Sequence, residues 1–302
     1  MKRLPQIALL PDGKRLHLQD GPIDLIIEAK GSEIDVRAAY ETAARRFTGL
    51  LDELCEELVE LRTAVDPVRC TLKGIVARRM HAAVAPFATA AFITPMAAVA
   101  GSVAEEILGS MLAAARLDRA YVNNGGDIAL HLTGGEQFTV GLMDRPDRHG
   151  LMRTTVIDAD DPVRGVATSG RHGRSFSLGI ADAVTVLAKT ASQADAAATV
   201  IANAVDLPGH PAIVRCPANE LQPDSDLGAR LVTRGVGALG EGEIDDALRA
   251  GVSRAQQLLV AGLIEGAALR LLGETAVVGA TGIKAGALPA FHERSLERIA
   301  HV

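Results

Sequence analysis

Three polar residues with helical spacing are the side chains in this sequence best suited to chemistry. Asp195, Thr199 and Asn203 stand at positions i, i+4 and i+8 of an Ala-rich segment that begins near Ser192. On a helix their side chains fall roughly on one face. A carboxylate and a hydroxyl one turn apart are hard oxygen ligands, the kind that holds Mg²⁺ while substrate phosphates complete its coordination.

The same residues also have a purely structural interpretation. Ser192-x-x-Asp195 fits a capping box with Asp in place of Glu, and an Asp in the first turn suits the helix dipole. Capping accounts for Asp195 as well as metal binding does, but it does not account for Thr199 or Asn203. From the residues alone, both interpretations stay open.

Two strands must position that helix. The first is predicted to end in the turn Thr168-Ser169-Gly170, and the second runs from Ile180 to about Ala188. Because almost nothing separates these strands from the helix, we expect the three elements to pack together.

A pair of glycines marks another strand further upstream. The segment AYVNNGGDIALHL is predicted to be a strand that contains Asn124-Gly125-Gly126-Asp127. Glycines inside a strand indicate a bulge or the close approach of a ligand. A structural bulge alone is the alternative.

The first 120 residues are predicted to combine strands with long helices. Residues 6 to 29 have the pattern of a β-meander, and an amphipathic helix follows from Val36 to about Ala64. PFATAAFITP is predicted to be a buried strand. A further helix starts near Pro95 and extends to about Leu117.

The later segments alternate strands, loops and one long helix. QFTVGLMD is predicted to complete a hairpin with the strand before it, and residues 144–150 form a surface loop. AIVRC, ARLVTR and ETAVVGA are predicted strands, with helix from Ile244 through Leu271. We expect one domain over residues 1–285 and a tail over 286–302.

Composition and charge exclude several classes of protein. The 302 residues are 48% hydrophobic and 23% charged, which is typical of a globular protein, and the net charge is −6. Without a long basic run, a nucleic-acid partner is not expected. The three cysteines have no CxxC spacing and predict neither a disulfide framework nor a zinc site.

The same sequence indicates a cytoplasmic protein without a membrane span. The N-terminal apolar run is too short for a secretion signal. The uncharged segment from Met80 to Ala104 is interrupted by Pro86 and Pro95, whereas a span needs about 20 strongly apolar residues in one helix.

A glycine-rich motif near residue 235 is a decoy. Residues 235–240 read GVGALG and match GxGxxG, a dinucleotide fingerprint. That fingerprint also requires a following strand with an acidic residue some 20 positions on, and here the next residues are predicted to be helical.

Three motifs together resemble a known family. GGDI at 125–128, VATSG at 166–170 and ADAAAT at 194–199 occur in the same order as in the ApbE superfamily. Those enzymes are Mg²⁺-dependent flavin transferases that move FMN from FAD onto a threonine of a target protein. The resemblance implies an α/β fold of the α+β type, in which antiparallel sheets pack with long helices in an ApbE-like, T-fold-related architecture.

The resemblance also implies which residues form the site. It places Mg²⁺ on Asp195 and Thr199, and it places the flavin nucleotide along the GGDI strand and the TSG turn. Residues of the helix start after Pro95 are expected at the same pocket. The nucleotide-binding residues that the resemblance implies are Gly125, Gly126, Asp127, Thr168, Ser169 and Gly170. Beside these, Asn124, Met96 and Ala97 are also predicted to contact the nucleotide.

Two further residues are predicted to be catalytic. Arg171 or Arg174, just after the TSG turn, could add positive charge to the phosphates, although a solvated loop is the slightly favoured explanation of both. Asp182 is the best remaining carboxylate for a general base.

The sequence departs from the family at two segments. The lysine-glycine motif that the transferases carry ahead of the GGDI strand is replaced by ITPMAAVAGSVAE. The transferases carry H-x-x-D-P-x-T-G after the TSG turn, and here that space holds SFSLGIADAV. A transferase acting on FAD, with an acceptor flavoprotein as partner, is therefore one prediction. A flavin-binding protein without transferase chemistry and an FAD pyrophosphatase are alternatives, and a pocket for a different nucleotide or a pterin-like ring is another. A homo-oligomer is compatible with each.

Overall fold

The main body of the protein is a nine-stranded antiparallel sheet. The computed structural model describes residues 4–145 and 148–279 of the chain. The strands in this part of the chain are β1 Gln6–Leu9, β2 Leu16–Asp20, β3 Ile23–Gly31, β4 Leu117–Asn124, β5 Asp127–Leu132, β6 Gln137–Arg145, β7 Arg148–Asp158, β8 Gly165–Ser169, β9 Ala183–Ala188, β10 Ile213–Pro217, β11 Leu231–Val236, β12 Gly266–Leu271 and β13 Glu274–Gly279. The sheet has the order β1-β2-β3-β4-β5-β8-β9-β12-β13.

Eight helices accompany these strands in the described part of the chain. They are α1 Glu33–Phe47, α2 Leu50–Glu56, α3 Leu58–Leu61, α4 Ile75–Val84, α5 Val99–Ala114, α6 Ala191–Ala204, α7 Ala218–Leu221 and α8 Glu241–Val260. Single turns of 3-10 helix at Ala85–Phe87 and Pro95–Ala98 precede α5.

The two halves of the sheet have the same order of elements. In the first half the hairpin β2–β3 leads through helices α1 to α5 into the hairpin β4–β5, and β3 pairs with β4. In the second half β8–β9 leads through α6 and α8 into β12–β13, and β9 pairs with β12. All these pairs are antiparallel, so the sheet confirms the predicted mixed α/β fold with antiparallel strands.

The hydrophobic core follows this division. One cluster of buried side chains joins α1, α4 and α5 to β2, β3 and β4, and a second joins α6 and α8 to β8, β9 and β12. Burial of apolar area stabilises each layer by roughly 25 cal/mol per Å². Helices α5 and α6 lie in contact where the two clusters meet.

Two additional hairpins pack against this arrangement. The β6–β7 hairpin packs its Val140 and Ile157 against Leu130, Val166 and Leu187 of the main sheet. The β10–β11 hairpin follows α6 and is joined to the loop before β9 by a hydrogen bond from the Thr233 N–H to the Ser177 carbonyl, at 2.9 Å.

The prediction of one long helix over residues 36–64 is wrong, because the structure has three shorter helices there. The helical stretch is broken at Gly49, whose φ of +87° lies in the left-handed region, into α1 and the shorter α2 and α3. A glycine adopts this conformation without the steric cost that other residues meet. The apolar spacing therefore predicts helix correctly on both sides of Gly49, but it does not predict the break.

Several strand predictions also need correction. The segment PFATAAFITP forms no strand and consists mostly of turns after α4. Residues 120–132 form the two strands of the hairpin β4–β5 instead of one bulged strand, because Gly125 and Gly126 make its turn. β6 pairs with β7 and not with β5.

The predicted bounds of the last helix and of the loop at 144–150 also need correction. The helix predicted through Leu271 ends at Val260, and β12 occupies residues 266–271. The predicted surface loop at 144–150 includes the ends of β6 and β7, with residues 146–147 outside the described part. The predicted tail over 286–302 also lies outside the described residues.

One helical stretch is apolar enough to span a membrane by length and composition. Within the described residues this is Pro95–Ala114, with a mean hydropathy of 1.3. In the structure it includes α5, whose inward face packs against α1, α4 and α6. The core helix of a globular protein meets the same criterion, and burial explains the apolar sequence here.

Candidate functional site

Asp195 lies within α6 and not at its cap. The N-cap of α6 is Thr190, whose hydroxyl oxygen accepts the Gln193 N–H at 3.3 Å. Asp195 instead accepts the backbone N–H of Gly101, at the start of α5, with Oδ2 at 2.9 Å. The interpretation of Asp195 as a cap of its own helix is therefore wrong. The carboxylate caps the neighbouring helix, whose N-terminus favours negative charge.

Glycines allow the start of α6 to lie in close contact with α5 and with β8. A Cβ at Gly101 would lie 2.3 Å from the carbonyl oxygen of Ala191, and a Cβ at Gly165 would lie 2.1 Å from that of Thr190. Real Cβ atoms do not approach so closely, and only glycine fits at either position. The crowding of small residues at the start of α5 therefore has a packing explanation.

The β4–β5 turn brings a second set of predicted residues to the same place. Gly125 and Gly126 have φ values of +65° and +114°, and the Asn123 side chain accepts the Gly126 N–H at 2.8 Å. The Asn124 amide donates to the carbonyl oxygen of Ala100 at 3.2 Å. Asn124 thus ties the glycine turn to the helix start that Asp195 caps.

Asp127 joins this turn to the end of β8. Its carboxylate accepts the backbone N–H of Thr168 at 3.2 Å, and the Thr168 hydroxyl is hydrogen-bonded to that of Thr185 at 2.9 Å. The exposed Arg174 lies above Gly125, with its guanidinium carbon 3.4 Å from where a Cβ would stand. A Cβ at Gly126 would meet nothing within 4 Å, which leaves open space beside the turn.

The two carboxylates at this position repel each other. Burial raises the pKa of Asp127 from 3.8 to about 7, against the Thr168 N–H and the charge of Arg174, which lower it. Burial, followed by repulsion from Asp127, raises the pKa of Asp195 well above its usual range, although the N–H groups of Gly101 and Ala100 oppose this. Asp127 and Asp195 are each partly exposed as residues, but their carboxylate groups are buried.

Thr199 lies one turn beyond Asp195 on α6. It lines a cavity of about 430 Å³ together with Asn203, so the polar stripe on α6 runs from the carboxylate pair into this cavity. The structure therefore places Asp195 and Thr199 on one helix face, as the spacing predicts. Met96 and Ala97 lie in the 3-10 turn that leads into α5 and are half-buried next to the same helix start.

Arg171 and Asp182 form an ion pair of their own. Arg171 donates from Nη2 to Asp182 Oδ1 at 2.5 Å, and the His172 ring nitrogen lies 3.2 Å from the same oxygen. Asp182 Oδ2 accepts the Leu272 N–H at 2.6 Å. With both oxygens engaged and the residue buried, Asp182 holds the loop after β8 to the β12–β13 turn. The catalytic roles of the two residues remain predictions that this arrangement does not favour.

Ser169 and Gly170 lie between these two groups of residues. Ser169 is paired with Val184 in the β8–β9 ladder. A Cβ at Gly170, whose φ is +148°, would lie 2.6 Å from the Asp182 carbonyl oxygen. Packing explains this glycine, and its contact with a nucleotide remains a prediction.

The donor set at Asp195 fits a magnesium ion supported by a ligand. In the described part of the chain no group of three or more His, Cys, Asp and Glu side chains is gathered for a metal. Mg²⁺ is typically held by one or two carboxylates while phosphates and water supply the rest. The mutual repulsion of Asp127 and Asp195 is the feature that a divalent cation would relieve.

Sequence reasoning missed some of the residues that build this site. The N–H group of Gly101 donates to Asp195 from 94 positions away in the sequence, and the Asn123 side chain stabilises the glycine turn. The Asn-Asn-Gly-Gly run is itself a turn signal, and would have predicted the hairpin.

Comparison with known proteins identifies the family. A family model described as "AbpE bacteria" matches residues 7–277. The chain is 37% identical over 182 residues to a UPF0280 protein of Methanopyrus kandleri, covering 60% of this chain and 69% of the relative. It is 34% identical over 173 residues to a UPF0280 protein of Archaeoglobus fulgidus, covering 55% and 66% respectively.

The family match shows that this is a protein of the ApbE-like superfamily. Within it, the chain belongs to the family described as "AbpE bacteria". Among solved structures, the flavinyl transferase ApbE of Pseudomonas stutzeri in its apo form aligns with a TM-score of 0.47 and 11% identity, covering 94% of this chain and 98% of that one. The family assignment does not depend on that likeness, and the UPF0280 names state no activity.

Proposed function

We propose that this protein binds FAD with Mg²⁺ and transfers its FMN moiety to a threonine of a partner protein. The observation that carries the proposal is the meeting of Asp127 and Asp195 at the start of α5. Two carboxylates that destabilise each other are retained there beside open space at Gly126. A bound divalent cation and a phosphate give that arrangement a function, and membership of the ApbE-like superfamily supports a flavin nucleotide as the ligand.

Each residue of the site has a role in this proposal. Asp195 and Thr199 would hold the metal, which when bound neutralises charge on the pyrophosphate as its P–O bond breaks. Asn124 and the glycine turn keep the backbone close to the start of α5. Arg174, above Gly125, adds a positive charge that the phosphates can use.

The reaction balances without a further reactant. The threonine hydroxyl oxygen of the acceptor forms a bond to the FMN phosphorus, the pyrophosphate P–O bond breaks, and AMP leaves. The hydroxyl proton needs an acceptor, and the Asp127 carboxylate, which lies beside Asp195, is the group that would take it. Asp182 is less suited to this role because Arg171, His172 and the Leu272 N–H already surround it.

A flavin-binding protein without transferase chemistry is the second candidate. The loop after β8 favours it, because the superfamily's His and D-P-x-T-G residues are absent and the charged pair that stands there, Arg171 and Asp182, neutralises itself.

Product analysis separates the candidates. The purified protein is incubated with FAD, Mg²⁺ and a threonine-containing acceptor, and the products are identified by mass spectrometry. A transferase yields AMP and an acceptor whose mass has increased by that of FMN less one water molecule. A pyrophosphatase yields AMP and free FMN. A carrier retains intact FAD without turnover, an outcome that would contradict the transferase proposal.

A further inference from the structure

The cavity beyond Thr199 is lined by α6, by the β10–β11 hairpin and by the segment before α5. Thr199, Val200 and Asn203 form one wall, and the opposite wall comes from Leu231 at the start of β11 and from Phe92 before α5. Its volume of about 430 Å³ lies within the range of about 300–1,000 Å³ that small-molecule pockets occupy. The lining is mainly apolar with a few polar groups, the usual composition of such pockets.

A flat cationic surface lies in this cavity. The Arg230 guanidinium lies over the Phe92 ring, 3.2 Å from its centroid. Arg230 is exposed and also donates to the Leu227 carbonyl oxygen at 3.3 Å. Arg215, the other cation of the cavity, is committed to Asp206 and to the Leu178 carbonyl. Arg230 and Phe92 therefore provide the surface on which a planar ring can stack.

Asn203 adds hydrogen-bonding capacity at the inner wall. Its Oδ1 accepts the Leu178 N–H at 3.0 Å, so the side chain is oriented and its amide nitrogen is the group that it can offer to a ligand. Ring nitrogens and ring carbonyl oxygens are acceptors that match this donor.

The cavity is aligned with the carboxylate pair along α6. At 1.5 Å per residue, the helix rises about 6 Å from Asp195 to Thr199 and about 12 Å from Asp195 to Asn203. A nucleotide whose phosphates lie at Asp195 has its sugar and ring at distances of this order. The continuous polar stripe connects the two places.

We propose that this cavity binds a planar heteroaromatic ring of the dinucleotide, stacked on Arg230 and Phe92 and hydrogen-bonded to Asn203. The inference rests on the proposed function, since it takes the phosphates at Asp195 as its reference point. The shared chemistry is that of a flat nitrogen heterocycle, and both the isoalloxazine and the adenine of FAD have it.

Binding of FAD, and of FMN and ADP as ligands that each carry one of its two rings, tests the proposal. Wild type, Phe92→Leu and Arg230→Gln are titrated with FAD, FMN and ADP, each with Mg²⁺, by isothermal calorimetry. We expect both variants to raise the Kd for FAD about tenfold. The Kd for one of the two ligands FMN and ADP rises similarly, while the Kd for the other is unchanged. The ligand with the raised Kd identifies the ring that the cavity binds. Arg249→Gln on the exposed face of α8 is the matched control and binds as wild type does.

The outcomes are distinguishable. Unchanged FAD affinity in both variants, with wild type binding normally, overturns the ring site and leaves the proposed function standing. Equal losses for FMN and ADP also overturn it, because a ring site contacts one half of the ligand. A wild type that does not bind FAD overturns the proposed function together with this inference. Arg230→Gln changes an exposed residue, so its fold, checked by circular dichroism, is expected to be intact.

Discussion

At the scale of single residues, the site is defined by what surrounds Asp127 and Asp195. The spacing in the sequence selected Asp195 and Thr199, and the structure places both on one face of α6. It also shows what spacing cannot show, namely that Asp195 accepts an N–H from another helix and is repelled by Asp127. Such a carboxylate differs from a solvated one in a way that experiments can detect.

The raised pKa of Asp127 predicts a particular dependence of stability on pH. Because the pKa of Asp127 is about 7 in the folded protein and 3.8 ordinarily, the folded state binds this proton more tightly than the unfolded state. The stabilising contribution is present below pH 3.8 and is lost as the pH rises through about 7. Asp127→Asn removes the ionisation and with it this loss.

We therefore expect the stability of Asp127→Asn relative to wild type to increase as the pH rises from 3.8 to about 7. A gain of about 1 kcal/mol corresponds to roughly 2–4 °C in Tm for a chain of this size. Thermal melts in metal-free buffer across that interval provide the measurement, with the exposed Asp246→Asn as control. A difference in Tm that stays constant with pH would rule out the proposed titration of Asp127.

At the scale of elements, the contact between the starts of α5 and α6 positions the site. Gly101 allows α5 to approach the carbonyl oxygen of Ala191, and Thr190 caps α6. The sequence predicted both helices and the small residues at the start of α5. It could not predict which helix the small residues face, because that depends on the pairing of β3 with β4 and of β8 with β9 across the sheet.

Two glycines in the same helix provide a matched pair for testing this contact. A Cβ at Gly101 collides with backbone atoms of Ala191, whereas a Cβ at Gly109 meets nothing within 4 Å. Gly101→Ala should lower the free energy of unfolding by about 1–3 kcal/mol, as overpacking does. Gly109→Ala should raise it by up to about 1 kcal/mol, since Ala is favoured over Gly in a helix.

Denaturant unfolding of the two variants and wild type gives both values. Destabilisation of equal size in both variants would contradict the close contact at Gly101. Because the first turn of α5 also supplies the N–H groups to Asp195, Gly101→Ala is expected to weaken FAD binding as well, while Gly109→Ala leaves it unchanged.

At the scale of the whole molecule, two similar arrangements of hairpins and helices share one sheet. Alternating strands such as β2 and β3 and the apolar periodicity of α5 were predictable because each depends on neighbours in sequence. The break at Gly49 and the pairing of β6 with β7 were not, since one glycine and one hairpin leave the local pattern almost unchanged. The β10–β11 strands were predicted, but the cavity that they close over α6 depends on tertiary packing.

The central claim is that Asp195 binds Mg²⁺ next to the phosphates of FAD, and one titration tests it directly. FAD is titrated into wild type, Asp195→Asn and the control Asp246→Asn, each with and without Mg²⁺. Asn keeps the shape and one oxygen that can accept the Gly101 N–H, but it removes the charge that the metal needs. We predict that Mg²⁺ tightens FAD binding about tenfold or more in wild type and in the control, and has no effect in Asp195→Asn. An unchanged Mg²⁺ response in Asp195→Asn would contradict the account.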